Sequence, residues 1–157
     1  MTKFSASTNT TVKIVTAVTV LLLVYFVAAA FLGDSKLTLI PAAILLFVIG
    51  LSYYFSITKY EVDRNQLIIR RPFDSVSISL ENLQSVERIA KKDLRWTVRT
   101  FGIGGLFSYT GEFWNKKLGS MSWYVTRMDK AVMIVHGNRK IVISPDDPEK
   151  FLEALKN

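Results

Sequence analysis

The sequence predicts an α-helical hairpin of membrane-spanning length followed by an α+β domain, a small β-sandwich or barrel plugged by one C-terminal helix. Three observations predict it. Two long apolar runs near the N-terminus carry no charge. From Lys59 onward the texture changes to short, alternating, β-rich segments. The chain then ends in an amphipathic stretch with a helix-start signature. Composition agrees, since half of the 157 residues are hydrophobic and mean hydropathy is positive in a chain of net charge +7. Soluble domains of this size rarely combine these values.

The first run, "IVTAVTVLLLVYFVAAAFLG", covers residues 14–33, and the second, "LTLIPAAILLFVIGLSYYFSIT", covers residues 37–58. About 20 residues make a helix of about 30 Å, the thickness of a bilayer core. Only "DSK" separates the runs, which requires a tight antiparallel hairpin. Pro41 falls in the first turn of the second helix, where a missing N–H is tolerated. Tyr53 and Tyr54 lie near its far end, at interfacial depth. A cleaved signal peptide is the competing reading of the first run, with Lys3 and Lys13 before it and Ala28, Ala29 and Ala30 as a small-residue site. The run is longer than the apolar core of such peptides. A buried soluble hairpin is disfavoured because neither run offers a polar face. The expected division is a tail at residues 1–13, helices at 14–33 and 37–58, and a domain at 59–157. Lys59, Arg64, Arg70 and Arg71 follow the second run, whereas Lys36 in the loop is offset by Asp34. The positive-inside rule then makes this a multi-pass cell-membrane protein with both termini cytoplasmic.

In the domain, "KYEVDRNQLIIRR" reads as two short strands around Arg64, Asn65 and Gln66. "SVSISL" alternates strictly, placing Val76, Ile78 and Leu80 on one face. "ENLQSVERIA" reads as a turn and a strand, and "SMSWYVTRM", "KAVMIVHG" and "RKIVISP" are further β-rich runs. "HGNR" joins the last two as a hairpin turn, which makes the single histidine, His136, a turn residue. In "SPDDPEKFLEALKN", Asp146 or Asp147 caps a helix, Pro148 suits its first position, and Phe151, Leu152 and Leu155 form one apolar stripe. Capping accounts for the paired aspartates better than a metal does.

The motifs "RTFGIGGLFSYTGEF", "WYVTRMDKAVMIV" and "VISPDDPEKFLEAL" resemble those of bacterial pleckstrin-homology-like (PH-like) domains, a group often attached to two membrane helices. The likeness covers about residue 59 to the C-terminus. It implies a bent antiparallel β-sheet, sandwich- or barrel-like, capped by the C-terminal helix. It implies no reaction, and fold does not fix function.

The glycine-rich stretch at residues 99–115, "RTFGIGGLFSYTGEFWN", does not fit a nucleotide loop. A P-loop needs Gly-Lys-Ser/Thr opening a helix, and a dinucleotide loop needs strand, glycines, then helix. Here β-like sequence follows. With no cysteine, one histidine and scattered carboxylates, no nucleophile triad, acid–base pair or metal motif is legible. The expectation is a non-enzyme with no cofactor and no metal.

Three readings of the stretch stay open. Gly102, Gly104, Gly105 and Gly111 permit positive φ at turns and bulges while Phe101, Phe107, Tyr109 and Phe113 fill the core. Alternatively Leu106, Phe107, Phe113 or Trp114 dips into a membrane interface, or exposed rings anchor a protein partner. Lys91, Lys92, Arg95, Arg99, Lys116 and Lys117 flank the stretch. They are the candidate contacts for an anionic lipid surface or ligand, against the alternative of a solvated charged face. Nucleic acid is not expected, since basic charge alone does not specify it. The leading function is a cytoplasmic module held at the membrane for binding or assembly. The alternatives are a regulatory or structural subunit of a larger membrane complex or homo-oligomer, packed through Ala28, Ala29, Ala30, Ala42, Ala43 and Gly50, or a ligand sensor with a pocket in the domain.

Overall fold

The structure, a computed structural model, describes residues 1–33, 36–81 and 83–156. The hairpin loop expected at residues 34 and 35 lies outside the described residues, as do Asn82 and Asn157. Helix α1 spans Thr10–Leu32, capped by the Asn9 side chain, which accepts the Val12 N–H at 2.9 Å. Helix α2 spans Leu39–Tyr54 after a 3₁₀ turn at Lys36–Thr38, and Pro41 sits in its first turn. Thr10–Leu32, and Lys36–Tyr54 with the 3₁₀ turn included, are long and apolar enough to cross a membrane. Leu21, Tyr25, Phe31, Ile44 and Phe47 are exposed along them, so the apolar surface is not covered by protein. Helix α2 stops short of Thr58 because the sheet captures the chain there: the Thr58 N–H donates to the Arg70 carbonyl at 2.9 Å.

The first sheet has the order β1-β2-β3-β4, all antiparallel, with β1 Thr2–Ser5, β2 Lys59–Asp63, β3 Gln66–Arg70 and β4 Ser75–Ser79. Residues 1–13 are therefore not a plain tail. They supply an edge strand and the start of α1, and Ser5 pairs with Lys59 across the gap that the two helices bridge. The helical hairpin is an excursion between two neighbouring strands. The turn between β2 and β3 is Arg64 and Asn65 alone, with Gln66 already in β3.

The second sheet has the order β5-β9-β10-β8-β7-β6. Its strands are β5 Leu83–Arg88, β6 Val98–Gly104, β7 Tyr109–Asn115, β8 Gly119–Val125, β9 Val132–His136 and β10 Arg139–Ile143. Among the described residues, only β8 and β10 pair in parallel. Gly137 and Asn138 turn β9 into β10, with His136 opposite Arg139. The sheets stack as a sandwich and do not close into a barrel. Strands β9 and β10 are covered on both faces. Val132, Ile134, Ile141 and Ile143 join a core with Phe4, Leu67, Ile69 and Phe151. Met133 and Val142 point the other way, to Phe113, Met121 and Trp123.

Helix α3, Pro148–Lys156, closes the first core: Phe151 is fully buried, and its ring meets Phe4 edge-on at 5.1 Å. Asp147 accepts the Lys150 N–H at 3.2 Å as the cap. Asp146 instead accepts from the Ser7 backbone and hydroxyl, tying the end of β1 to the start of α3. Deep between the layers, the Tyr60 hydroxyl donates to the Tyr124 carbonyl at 2.7 Å and accepts from the Ser144 N–H at 3.2 Å. Burial pushes this phenol up to about 12.

Candidate functional site

The β6–β7 hairpin and the 3₁₀ turn Lys91–Leu94 before it carry or adjoin the candidate residues. The hairpin strands are held by a close approach of two glycines. Gly102 faces Gly111 across the pair, at φ +110° and +135°. A Cβ on Gly102 would lie 2.2 Å from the Thr110 carbonyl oxygen, and one on Gly111 would lie 2.3 Å from that of Phe101. Gly105, at φ +95°, begins the connecting loop. Gly104 does not have a left-handed φ, and a Cβ there would meet only the end of the Arg99 side chain, at 3.1 Å. A bulge between Arg99 and Phe101 turns Phe101 outward, where it is 76% exposed rather than in the expected core. Phe113 is buried and stacks on Trp123 at 4.3 Å.

One end of the hairpin touches the helices. Leu106 is buried. Phe107, at φ +61°, takes the Thr16 hydroxyl oxygen on its N–H at 3.2 Å, and its ring meets Tyr53 at 5.6 Å. Thr110 donates to the Phe55 carbonyl at 3.3 Å. Phe73, between β3 and β4, stacks on Tyr54 at 5.8 Å. Beside these contacts lies a groove of about 460 Å³, lined by Leu51, Phe55, Arg71, Phe101, Ile103 and Tyr124 among others.

The opposite end carries the basic residues. Lys92, Arg95, Lys116 and Lys117 converge on one cleft of about 420 Å³, together with Asp93, Trp96 and Asn115. Lys91 opens the 3₁₀ turn Lys91–Leu94 at its edge. Arg99 is apart, lining a separate hollow with Gly104 and Tyr109. Asn115 builds the cleft: its Nδ2 donates to the carbonyls of Asp93 and Arg95 and to Thr97 Oγ1, and its Oδ1 accepts from the Lys117 and Leu118 N–H groups. Lys117 is already paired with Asp93 at 2.6 Å, and this hydrogen bond holds the Asp93 carboxyl below its usual range. Trp96 stands over the cleft, 87% exposed and at φ +62°. A bulky residue held exposed in the left-handed region is a strained placement of the kind found at functional sites. Trp114, near the same end and half exposed, pairs with Val98. Sequence reasoning did not single out Trp96, Asn115 or Arg71. For Trp96 the signal was present, an aromatic ring inside the basic run "KKDLRW".

No group of three or more His, Cys, Asp or Glu able to hold a metal ion occurs among the described residues. The fold is two stacked, mostly antiparallel β-sheets with a C-terminal helix. A family model described as bacterial PH domain matches residues 58–157, more than half of the chain. The chain belongs to the bacterial PH domain family. No curated protein and no solved structure matches it.

Proposed function

We propose that this chain is a non-enzymatic integral membrane protein whose two helices cross the bilayer and hold a cytoplasmic PH-like module against it for binding or assembly. One observation carries the reading. The hairpin leaves and re-enters the sheet between neighbouring strands β1 and β2, and the loop at 105–108 and Phe73 pack on the helix ends. Such a module is fixed in orientation at the membrane, unlike one on a flexible linker. Its ligand-facing end is the Asn115-built cleft, where Trp96 supplies an amphipathic ring and Lys92, Arg95 and Lys116 supply charge toward an anionic leaflet.

The test uses the full chain reconstituted in vesicles containing brominated anionic phospholipid. Tryptophan emission should be quenched in the parent, less so in Trp96→Phe, and the difference should fade with salt as screening increases. Equal quenching in both proteins sinks the leaflet contact. A second reading, an acidic protein partner, is favoured by one observation. The cleft lies at the far end of the seven-residue strand β6 from the helix contacts, roughly 20 Å away at about 3.3 Å per residue. Crosslinking from Trp96-proximal positions in native membranes would capture that partner.

A further inference from the structure

The groove beside the end of α2 is a different place from the basic cleft, and its polar content is unusual. The Arg71 side chain is only 9% exposed. Its guanidinium carbon lies 5.2 Å from the centre of the Phe55 ring and 5.7 Å from that of Tyr124. Its Nε–H has no acceptor among the described residues, and its one ionic partner, Asp74, stands at 3.5 Å. A buried cation with an unused donor is costly unless something pairs with it. The rings fix the guanidinium plane, which leaves its fork pre-organised for a tetrahedral oxyanion. Leu51, Phe101 and Ile103 supply apolar wall, beside the polar Thr110 and Glu112. Leu51 and Phe101 are exposed, and Leu51 sits in the last turn of α2.

Resting on the reading that the helices cross the bilayer, we propose that this groove binds one glycerophospholipid of the adjoining leaflet. The phosphodiester sits on Arg71, and an acyl chain lies along Leu51, Phe101 and Ile103 toward the helices. The same depth along α2 brings the headgroup level of a bilayer to Arg71 and its hydrocarbon to Leu51. Charge sets the headgroup class. Glu112 also lines the groove, its carboxylate accepting from the Ser122 hydroxyl at 2.8 Å. With Asp74 it outweighs the single charge of Arg71, so the groove repels a multiply phosphorylated headgroup.

The test is native mass spectrometry of the full chain, delipidated in mild detergent and offered dioleoylphosphatidylglycerol, dioleoylglycerol or soluble glycerol 3-phosphate. The expected result is one phosphatidylglycerol retained per chain and neither of the others. Arg71→Gln should reduce retention about tenfold, the equivalent of one charge-assisted hydrogen bond. Phe101→Asp should also reduce it. Because Phe101 is exposed, that variant tests the groove even if Arg71→Gln fails to fold. A Lys150→Gln variant, at an exposed position on α3, should retain lipid as the parent does. Equal retention by parent and Phe101→Asp overturns the proposal, as does equal retention of dioleoylglycerol, which marks a nonspecific apolar surface. Retention of glycerol 3-phosphate alone makes it a soluble-anion site and also overturns it. Alkaline carbonate extraction of the source membranes reports separately on spanning: a chain that stays in the pellet yet retains no lipid refutes only the groove.

Discussion

At the scale of single residues, the glycines of the β6–β7 hairpin divide by geometry rather than by their order in "GIGG". Gly102→Ala and Gly111→Ala each push a Cβ against backbone that cannot give way, at a φ that side chains avoid. Each should lower stability by about 1–3 kcal/mol from backbone strain alone. Gly104→Ala meets only the movable end of Arg99 and should be near neutral. Denaturant melts of the three full-length variants in detergent check this order, and a Gly104→Ala variant as unstable as Gly102→Ala would contradict it. A second residue-scale expectation concerns Glu61, which is buried between Arg70 at 2.7 Å and Lys59 at 3.1 Å. Its hydrogen bond to Arg70, more than its pairing with Lys59, holds its carboxyl below the usual carboxylate range. A depressed folded-state pKa contributes stability that is present above the unfolded value and is lost as pH falls through the folded one. Melting temperature should therefore drop as pH is taken from about 5 toward 3, and Glu61→Gln should flatten that limb while lowering stability at pH 7. An unchanged acid limb in the variant would remove Glu61 from the account.

At the scale of elements, legibility in the sequence followed the range of the signal. The two apolar helices and α3 were readable because their information is local: unbroken hydropathy in one case, and a cap, a proline and an apolar stripe in the other. Strand β4 was readable from strict alternation, and β2, β3, β5, β8, β9 and β10 from short β-rich runs. Strand β1 was not, because "TKFS" has one apolar residue and becomes a strand only through pairing with β2, on the far side of the helical hairpin. The outward turn of Phe101 was hidden for a similar reason, since a bulge is fixed by the partner strand. Arg71 looked like an ordinary basic residue after β3. Its rings come from Phe55 and from Tyr124 in β8. Phe4 of β1 and Phe151 of α3 share one contact, so the two termini of the chain stabilise each other. Phe4→Ala and Phe151→Ala should each cost about 3–5 kcal/mol. As neighbours, their double variant should cost less than the sum. Strict additivity in a double-mutant cycle would show that the ring contact is not an energetic one.

At the scale of the whole molecule, the insertion of the hairpin between β1 and β2 constrains both construction and topology. Because Ser5 already pairs with Lys59, a short flexible turn replacing residues 8–56 should join the strands and leave the sandwich intact, with Ala6 and Ile57 retained in the core. The product should be a soluble, cooperatively melting domain. A version that starts at Lys59 lacks β1 and the Phe4 contact, so it should melt lower or aggregate; equal melting of the two would make β1 dispensable. The same pairing bears on sidedness. Strand β1 precedes the helices and β2 follows them, so the N-terminal segment and the domain share one face of any membrane that the helices cross. The positive-inside rule predicts a cytoplasmic face, given Arg64, Arg70 and Arg71 close after the second helix. Single cysteines at exposed Lys36, between the helices, and exposed Ser77, in β4, can be probed in intact cells with a membrane-impermeant thiol reagent, since the chain has no cysteine of its own. Lys36→Cys should label and Ser77→Cys should label only after permeabilisation. The reverse pattern would turn the module outward and remove the anionic cytoplasmic leaflet as the surface for its basic cleft. Equal labelling of both without permeabilisation would mean that the helices do not cross, and the apolar surface of α1 and α2 would then have to be covered by another protein.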